Sequence, residues 1–200
     1  MAGCALLDIE GTIADIAFVK HVLFPYARDA LPGFIAEHAD EPAVAKELAA
    51  TAREAGLDPD NRDALVDQLL AWIDADVKAT PLKQLQGMVW KNGYASGAFT
   101  AHLYPDAFAW IEREHAAGTP LYVYSSGSIA AQQLYFGHSD FGDLRDRFKG
   151  FFDTTTGPKK QADSYRVIAA RIHAETGLAH PRSGSFPTSA MNWPPPQAPA

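Results

Sequence analysis

Residues Leu6–Asp15 read LLDIEGTIAD: an apolar run ends in two acids, Asp8 and Glu10, before Gly11 and Thr12 break the pattern. Together with the residues before it, Cys4–Ile9 is short and nearly continuously apolar, as expected of a central parallel strand buried on both faces. An ionised carboxylate in an apolar interior costs roughly several kcal/mol unless it is paired or bound to metal. Two such acids at the end of a buried strand therefore demand a partner or a ligand. In open α/β sheets, ligands bind outside the carboxyl ends of the strands.

Composition narrows what the ligand can be. Two hundred residues suit one domain, or one domain carrying an insertion. With 47% hydrophobic and 20% charged residues the chain can build a core and does not read as disordered. A net charge of -7 argues against a nucleic-acid footprint, which needs clustered Lys and Arg. The single cysteine, Cys4, excludes an internal disulfide and fits a reducing compartment. No apolar run approaches the ~20 residues of a membrane helix. The N-terminus has no basic region, and Asp8 cuts its apolar run short, which argues against a secretory signal. The expectation is a cytoplasmic protein with no membrane and no nucleic-acid partner.

Outward from the first strand, the pattern is helical from Ile16 to about Gly97. Asp40 or Glu41 with Pro42, and Thr80 with Pro81, look like N-cap and first-turn signals, while Gly56 and Gly93 stand near helix ends. Leu65, Leu69, Leu70 and Ile73 form one helical stripe, which reads as packing. Alternation of helix and strand resumes near Tyr104. PDAFAWIEREHAAG is a helix closed by Gly118, PLYVYSS a strand, and Gly127 onward another helix. FKGFFDTT gives a short strand and KKQADSYRVIAARIHAETG a helix closed by Gly177. Strands alternating with helices imply parallel βαβ units, so the sheet is split by a helical insertion.

Three features fall at strand ends. Asp8 is placed to attack phosphorus as a carboxylate nucleophile, and Glu10 to protonate the leaving oxygen and then activate water. In YSSGS, Ser125, Ser126 and the backbone from Gly127 can donate to phosphate oxygens, aided by the dipole of the following helix. In TGPKKQADSY, Lys159 or Lys160 can neutralise phosphate charge. Each has an ordinary alternative. D-x-E also ends strands without function, Ser-Ser-Gly is a common turn and cap cluster, and a lysine in a Gly-Pro loop is usually solvated. The order of the four elements (acid pair, helical insertion, serine turn, lysine loop) says more than any one of them.

With these motifs in view, the chain resembles enolase-phosphatase (acireductone synthase), a haloacid dehalogenase-superfamily phosphatase. The resemblance is carried by DIEGTIADIAFVKHVLFPYARDALPGF, LKQLQGMVWKNGYASG, HLYPDAF, LYVYSSGSIAAQQLYFGHSDFGDL and FFDTTTGPKKQADSYRVIA, and spans about residues 4–176. Glu10 stands where most of the superfamily has Asp, which is typical of this family. The resemblance implies an α/β, Rossmannoid parallel-sheet core of residues 1–15 plus 102–177, with a helical cap inserted at 16–101. It implies that Asp8 is nucleophile and Mg²⁺ ligand, and that Glu10 is general acid/base with a share in the metal site. Ser125, Ser126 and Gly127 would hold the phosphate. Lys159, two after Gly157, would match the family's Gly-x-Lys. The implied reaction enolises 2,3-diketo-5-methylthiopentyl-1-phosphate and removes its phosphate, by a monomer acting on this small substrate in methionine salvage.

The chain departs from the family after Gly177. There the family carries an acid-bearing strand end of the type Ser-Asp-Ile-x-x-Glu-Leu, which completes the Mg²⁺ site, whereas this chain has no acid after Glu175. Residues 178–200 hold six of the fourteen prolines and read as unable to continue a sheet. Read from the third base of each codon, Met191-Asn192-Trp193-Pro194 forces Glu-Leu-Ala whatever the degenerate bases are. A one-base insertion or two-base deletion near Leu178–Gly184 accounts for this, against the alternative of a natural, unrelated tail. Either way the chain as written is expected to leave its first strand an unpaired edge, to fold poorly and to turn over slowly. Two alternatives stay open. One is a non-catalytic binding module or product of a disrupted gene. The other is a different hydrolase of the superfamily, such as a phosphonatase using Lys78, Lys83 or Lys91.

Overall fold

The computed structural model describes residues 3–177 and the backbone of 181–182. The chain divides into two compact units, one of residues up to Ile16 and from Thr100 onward, the other of Ala17–Phe99.

The first unit is built on parallel strands. β1 (Cys4–Leu7), β2 (Leu121–Tyr124) and β3 (Gly150–Phe152) lie in the order β3-β2-β1, and β4 (Pro181–Arg182) adds to the far side of β1. β1 and β2 are buried at every residue, which is why neither alternates polar and apolar positions. Leu7 stands opposite Val123, and Tyr124 opposite Phe152. This register brings the residues that follow the three strands, Asp8, Ser125 and Asp153, to one end of the sheet. Helix α8 (Ala162–Thr176) covers one face, where Tyr165, Ile168 and Ile172 pack with Cys4, Leu6, Tyr122, Tyr124 and Phe152. α6 (Pro105–Ala116) packs on β2, and α7 (Ile129–Gly137) on β3. The α/β class expected above, a parallel sheet whose chain is split by a helical insertion, is the fold observed.

The second unit is helical: a short α1 (Ile16–Phe18) leads into a π-helical turn (Val19–Leu23), followed by α2 (Phe24–His38), α3 (Pro42–Ala55), α4 (Arg62–Asp74) and α5 (Thr80–Ala95). Its core joins Leu31, Ile35, Leu48, Leu65, Leu69, Leu82 and Leu85, with Leu70 and Ile73 packed against it. The Leu65–Ile73 stripe is therefore packing, each buried leucine contributing about 1.5–3 kcal/mol. Lys78, Lys83 and Lys91 are all exposed, and Lys78 is ion-paired with Asp76.

Local signals in the sequence match the helix ends in some places and not in others. Gly56 and Gly177 close α3 and α8 in the left-handed conformation. Thr80 is not the cap of α5: the cap is Ala79, with no side-chain hydrogen bond, and Pro81 occupies the second helical position. Gly93 lies within α5, where an added Cβ would meet the Phe99 and Tyr26 rings at 2.6 and 2.7 Å. Its small size serves packing.

The expectation that the segment after Gly177 cannot join the sheet fails at 181–182. These residues pair in parallel with β1, Pro181 opposite Cys4 and Arg182 opposite Ala5, so β1 is not left an edge along its first half. Proline is tolerated there because it opens a strand at the sheet edge, where its missing N–H is not needed. The rest of the 178–200 expectation lies outside the described residues. Among those described, no helix is long and apolar enough to cross a membrane.

Candidate active site

β1 stops at Leu7, so Asp8 and Glu10 lie beyond the strand rather than inside it. Asp8 is part-buried, and its Oδ1 accepts both the Ile9 N–H, at 2.8 Å, and the ammonium of Lys159. Oδ2 takes neither bond. Glu10 opens a tight turn in which the Ile9 carbonyl accepts the N–H groups of Thr12, Ile13 and Ala14, with Gly11 at φ 74°. The Ser125 hydroxyl lies 3.2 Å from both Glu10 carboxylate oxygens and donates to that group. Each acid thus has a partner supplied from elsewhere in the chain, Ser125 at the end of β2 and Lys159 in the loop between β3 and α8, which is how two carboxylates are tolerated beside an apolar core.

Ser125 is fully buried. Its backbone N–H donates to the Phe152 carbonyl at 3.2 Å, and its Oγ accepts the Gly127 N–H at 3.1 Å. Expected beside a phosphate, Ser125 has its hydroxyl on Glu10 in this structure. Ser126 is exposed and Gly127 half-buried in the turn that follows. Ser128 caps α7 by accepting the Ala131 N–H at 3.2 Å.

Lys159 and Lys160 separate cleanly. Lys159 is three-quarters buried against Asp8, with its ammonium 5.8 Å from the centre of the Tyr124 ring, whereas Lys160 is exposed. The loop before Lys159 bends at Gly157, at φ +146°, and an added Cβ there would collide with the Ser164 side chain.

Three residues that sequence reasoning did not single out support this arrangement. Asp153 follows β3 as Asp8 follows β1. Its Oδ2 accepts the Ile129 N–H at 3.1 Å, and its Oδ1 accepts the Thr155 N–H at 2.9 Å and hydroxyl at 2.5 Å. Burial pushes the Asp153 carboxyl up, but the bonds from Thr155 and Ile129 together outweigh it and leave it below the ordinary 3.8. Gln132 donates to the Gly127 carbonyl at 2.8 Å and the Phe152 carbonyl at 2.9 Å, tying the serine turn to β3. Tyr124 donates to the Gly157 carbonyl at 2.6 Å. The available signal was positional: polar residues immediately after, or at the last position of, a buried strand.

Other candidate chemistry is excluded by burial or packing. The Cys4 thiol is buried, which pushes it up and keeps it protonated. Trp90 donates to the Leu23 carbonyl at 2.8 Å and Tyr94 stacks edge-on against Phe99, so both serve the packing of the helical unit. Among the described residues no group of three His, Cys, Asp or Glu side chains is placed to hold a metal ion. A hard cation that keeps several waters and binds through one or two carboxylates plus a substrate phosphate is nevertheless compatible with Asp8 and Glu10.

No family model matches the chain. It is 52% identical over 172 residues to the enolase-phosphatase E1 of Alcanivorax borkumensis, covering 86% of this chain and 76% of that protein. It is 53% identical over 173 residues to the enolase-phosphatase E1 of Stenotrophomonas maltophilia, covering 86% and 74%. Among solved structures, the UTR4 protein of Saccharomyces cerevisiae superposes with a TM-score of 0.72 at 35% identity, covering 89% of this chain and 77% of that one.

Proposed function

The chain belongs to the enolase-phosphatase E1 family, and from that premise we propose that it converts 2,3-diketo-5-methylthiopentyl-1-phosphate to acireductone in methionine salvage. It is a phosphoric monoester hydrolase of the haloacid dehalogenase type. The observation that carries the reading is the pairing at the sheet end: Asp8 with Lys159, and Glu10 with Ser125.

In this reading Asp8 Oδ1 is held by Ile9 and Lys159, which leaves Oδ2 to attack phosphorus. The new Oδ2–P bond forms as the bond from phosphorus to the ester oxygen breaks, and that oxygen takes the proton of a protonated Glu10. Glu10, now a carboxylate, removes a proton from water. The resulting hydroxide attacks phosphorus, breaks the Oδ2–P bond and returns Asp8 and orthophosphate. The Ser125 hydroxyl orients Glu10 through both steps, and the Lys159 ammonium offsets charge on the phosphate and on Asp8. Ser126 and the Gly127 backbone, at the N-terminus of α7, hold phosphate oxygens.

The Asp8 carboxylate and the main-chain carbonyl of Glu10 would hold Mg²⁺, which would supply Lewis-acid stabilisation of the phosphate charge and leave the Glu10 carboxyl free for proton transfer. One carboxylate is a lean set for that ion. The absence of any acid after Glu175 supports a weakened metal site and slowed turnover in this chain. We take it to act as a cytoplasmic monomer on this small phosphorylated substrate, with no nucleic acid or membrane involved; the net charge of -7 supports the absence of a nucleic-acid partner.

The test is orthophosphate release from the diketo phosphate with and without Mg²⁺. Release that requires Mg²⁺ and falls by on the order of 10³-fold or more in Asp8→Asn is the expected result. Equal release by Asp8→Asn, or release unaffected by removing Mg²⁺, would overturn the reading.

A further inference from the structure

Lysine is a point charge on a flexible stem with about 2 kcal/mol of rotamer entropy, and Lys159 hangs from a loop rather than a helix or strand. Something must hold that loop if the ammonium is to stay on Asp8. Beside local backbone bonds from Gly157 to Thr154 and from Gln161 to Pro158, two side-chain hydrogen bonds do so. Tyr124, the last residue of β2, donates its hydroxyl to the Gly157 carbonyl at 2.6 Å, and Ser164, on α8, donates to the Pro158 carbonyl at 2.8 Å. The two carbonyls immediately before Lys159 are therefore anchored from opposite elements.

Tyr124 also acts on the side chain itself. Its ring centre lies 5.8 Å from the Lys159 ammonium, within reach of the ring's negative face. The ring is only 2% exposed and is fixed edge-on by Tyr165, with centroids 5.4 Å apart and planes at 81°. A buried, braced aromatic cannot swing away, so both the loop and the ammonium refer to one rigid point at the end of β2.

We propose that Tyr124 is the positioning residue for Lys159, its hydroxyl fixing the Gly157–Lys159 loop and its ring seating the ammonium against Asp8. The proposal rests on the reading of Asp8 and Lys159 as the phosphate site.

A double-mutant cycle separates this role from mere packing. Inorganic phosphate is titrated calorimetrically in the presence of Mg²⁺ into the full chain, Tyr124→Phe, Tyr124→Leu, Lys159→Ala and the Tyr124→Phe/Lys159→Ala double variant. Tyr124→Phe keeps the ring and loses only the hydroxyl, so it tests the proposal even where Tyr124→Leu fails to fold. The expected result is a weakening of phosphate binding by about fivefold in Tyr124→Phe, more in Tyr124→Leu, and no further loss when Tyr124→Phe is added to Lys159→Ala. The same loss in both backgrounds, or no loss in Tyr124→Phe alone, would overturn the proposal. Failure of the unaltered chain to bind phosphate at all would instead overturn the reading of the site, and the proposal with it.

Discussion

Asp8, Ser125 and Asp153 occupy equivalent positions, each the first residue after a parallel strand, and each is tied to a different element. Asp8 meets the lysine loop, Ser125 meets Glu10, and Asp153 meets the start of α7. Asp153 is hydrogen-bonded to Ile129 and Thr155, and its contribution is readable in stability. Its folded carboxyl lies below the ordinary 3.8, so the stabilisation is fully present above that range and is lost as pH falls through the lowered value. Asp153→Asn keeps the shape and loses the charge. It is expected to cost about 1–2 kcal/mol at neutral pH in urea unfolding. The gap from the unaltered chain should close only at a pH below 3.8 that lies under the lowered value, where both proteins carry a neutral side chain. A gap of equal size at both pH values would contradict the assignment.

The Gly157–Lys159 loop shows what an element contributes beyond its residues. Gly157 adopts a backbone conformation that a side chain resists, and a Cβ would also meet Ser164, the residue that anchors Pro158. Gly157→Ala is therefore expected to lower stability by about 1–3 kcal/mol and to raise KM for the phosphorylated substrate more than tenfold by displacing Lys159. An unchanged KM would contradict the loop's role. Most elements were legible from the chain alone. The unbroken apolar runs of β1 and β2 and the glycines after α3 and α8 signal their elements locally. The misses have physical causes. The π-helical turn at Val19–Leu23 has no local signature, and Gly93 is set by the rings it must admit. Pro181 joins the sheet because an edge strand forgives a missing donor. At the site, the acid pair and the lysine loop were visible as motifs. Most partners of Asp153, Gln132 and Tyr124 were not: Thr155 is two residues from Asp153, but Ile129, Phe152 and Gly157 lie 24, 20 and 33 residues from the side chains they meet, and only the register joins them.

At the scale of the whole molecule, the two units divide the work of the sequence: one carries the strand-end chemistry, the other a helical core of its own. The chain matches the Alcanivorax borkumensis relative over 172 residues at 52% identity. Beyond Glu175 no further acid occurs. The Mg²⁺ concentration giving half-maximal phosphate release is accordingly expected to be at least about tenfold higher than for the Alcanivorax borkumensis relative assayed in parallel, since each lost anionic contact to the ion is worth on the order of 1.4 kcal/mol or more. Equal Mg²⁺ dependence would show that Asp8 and Glu10 suffice. A covalent bond from Asp8 to phosphorus can be trapped chemically. The chain is mixed with the diketo phosphate and Mg²⁺, quenched with borohydride, which reduces an acyl phosphate to an alcohol, and mapped by mass spectrometry. Homoserine is expected at position 8, absent without substrate and absent in Asp8→Asn. Phosphate release with no modification at position 8, or with the modification on another residue, would contradict the covalent bond.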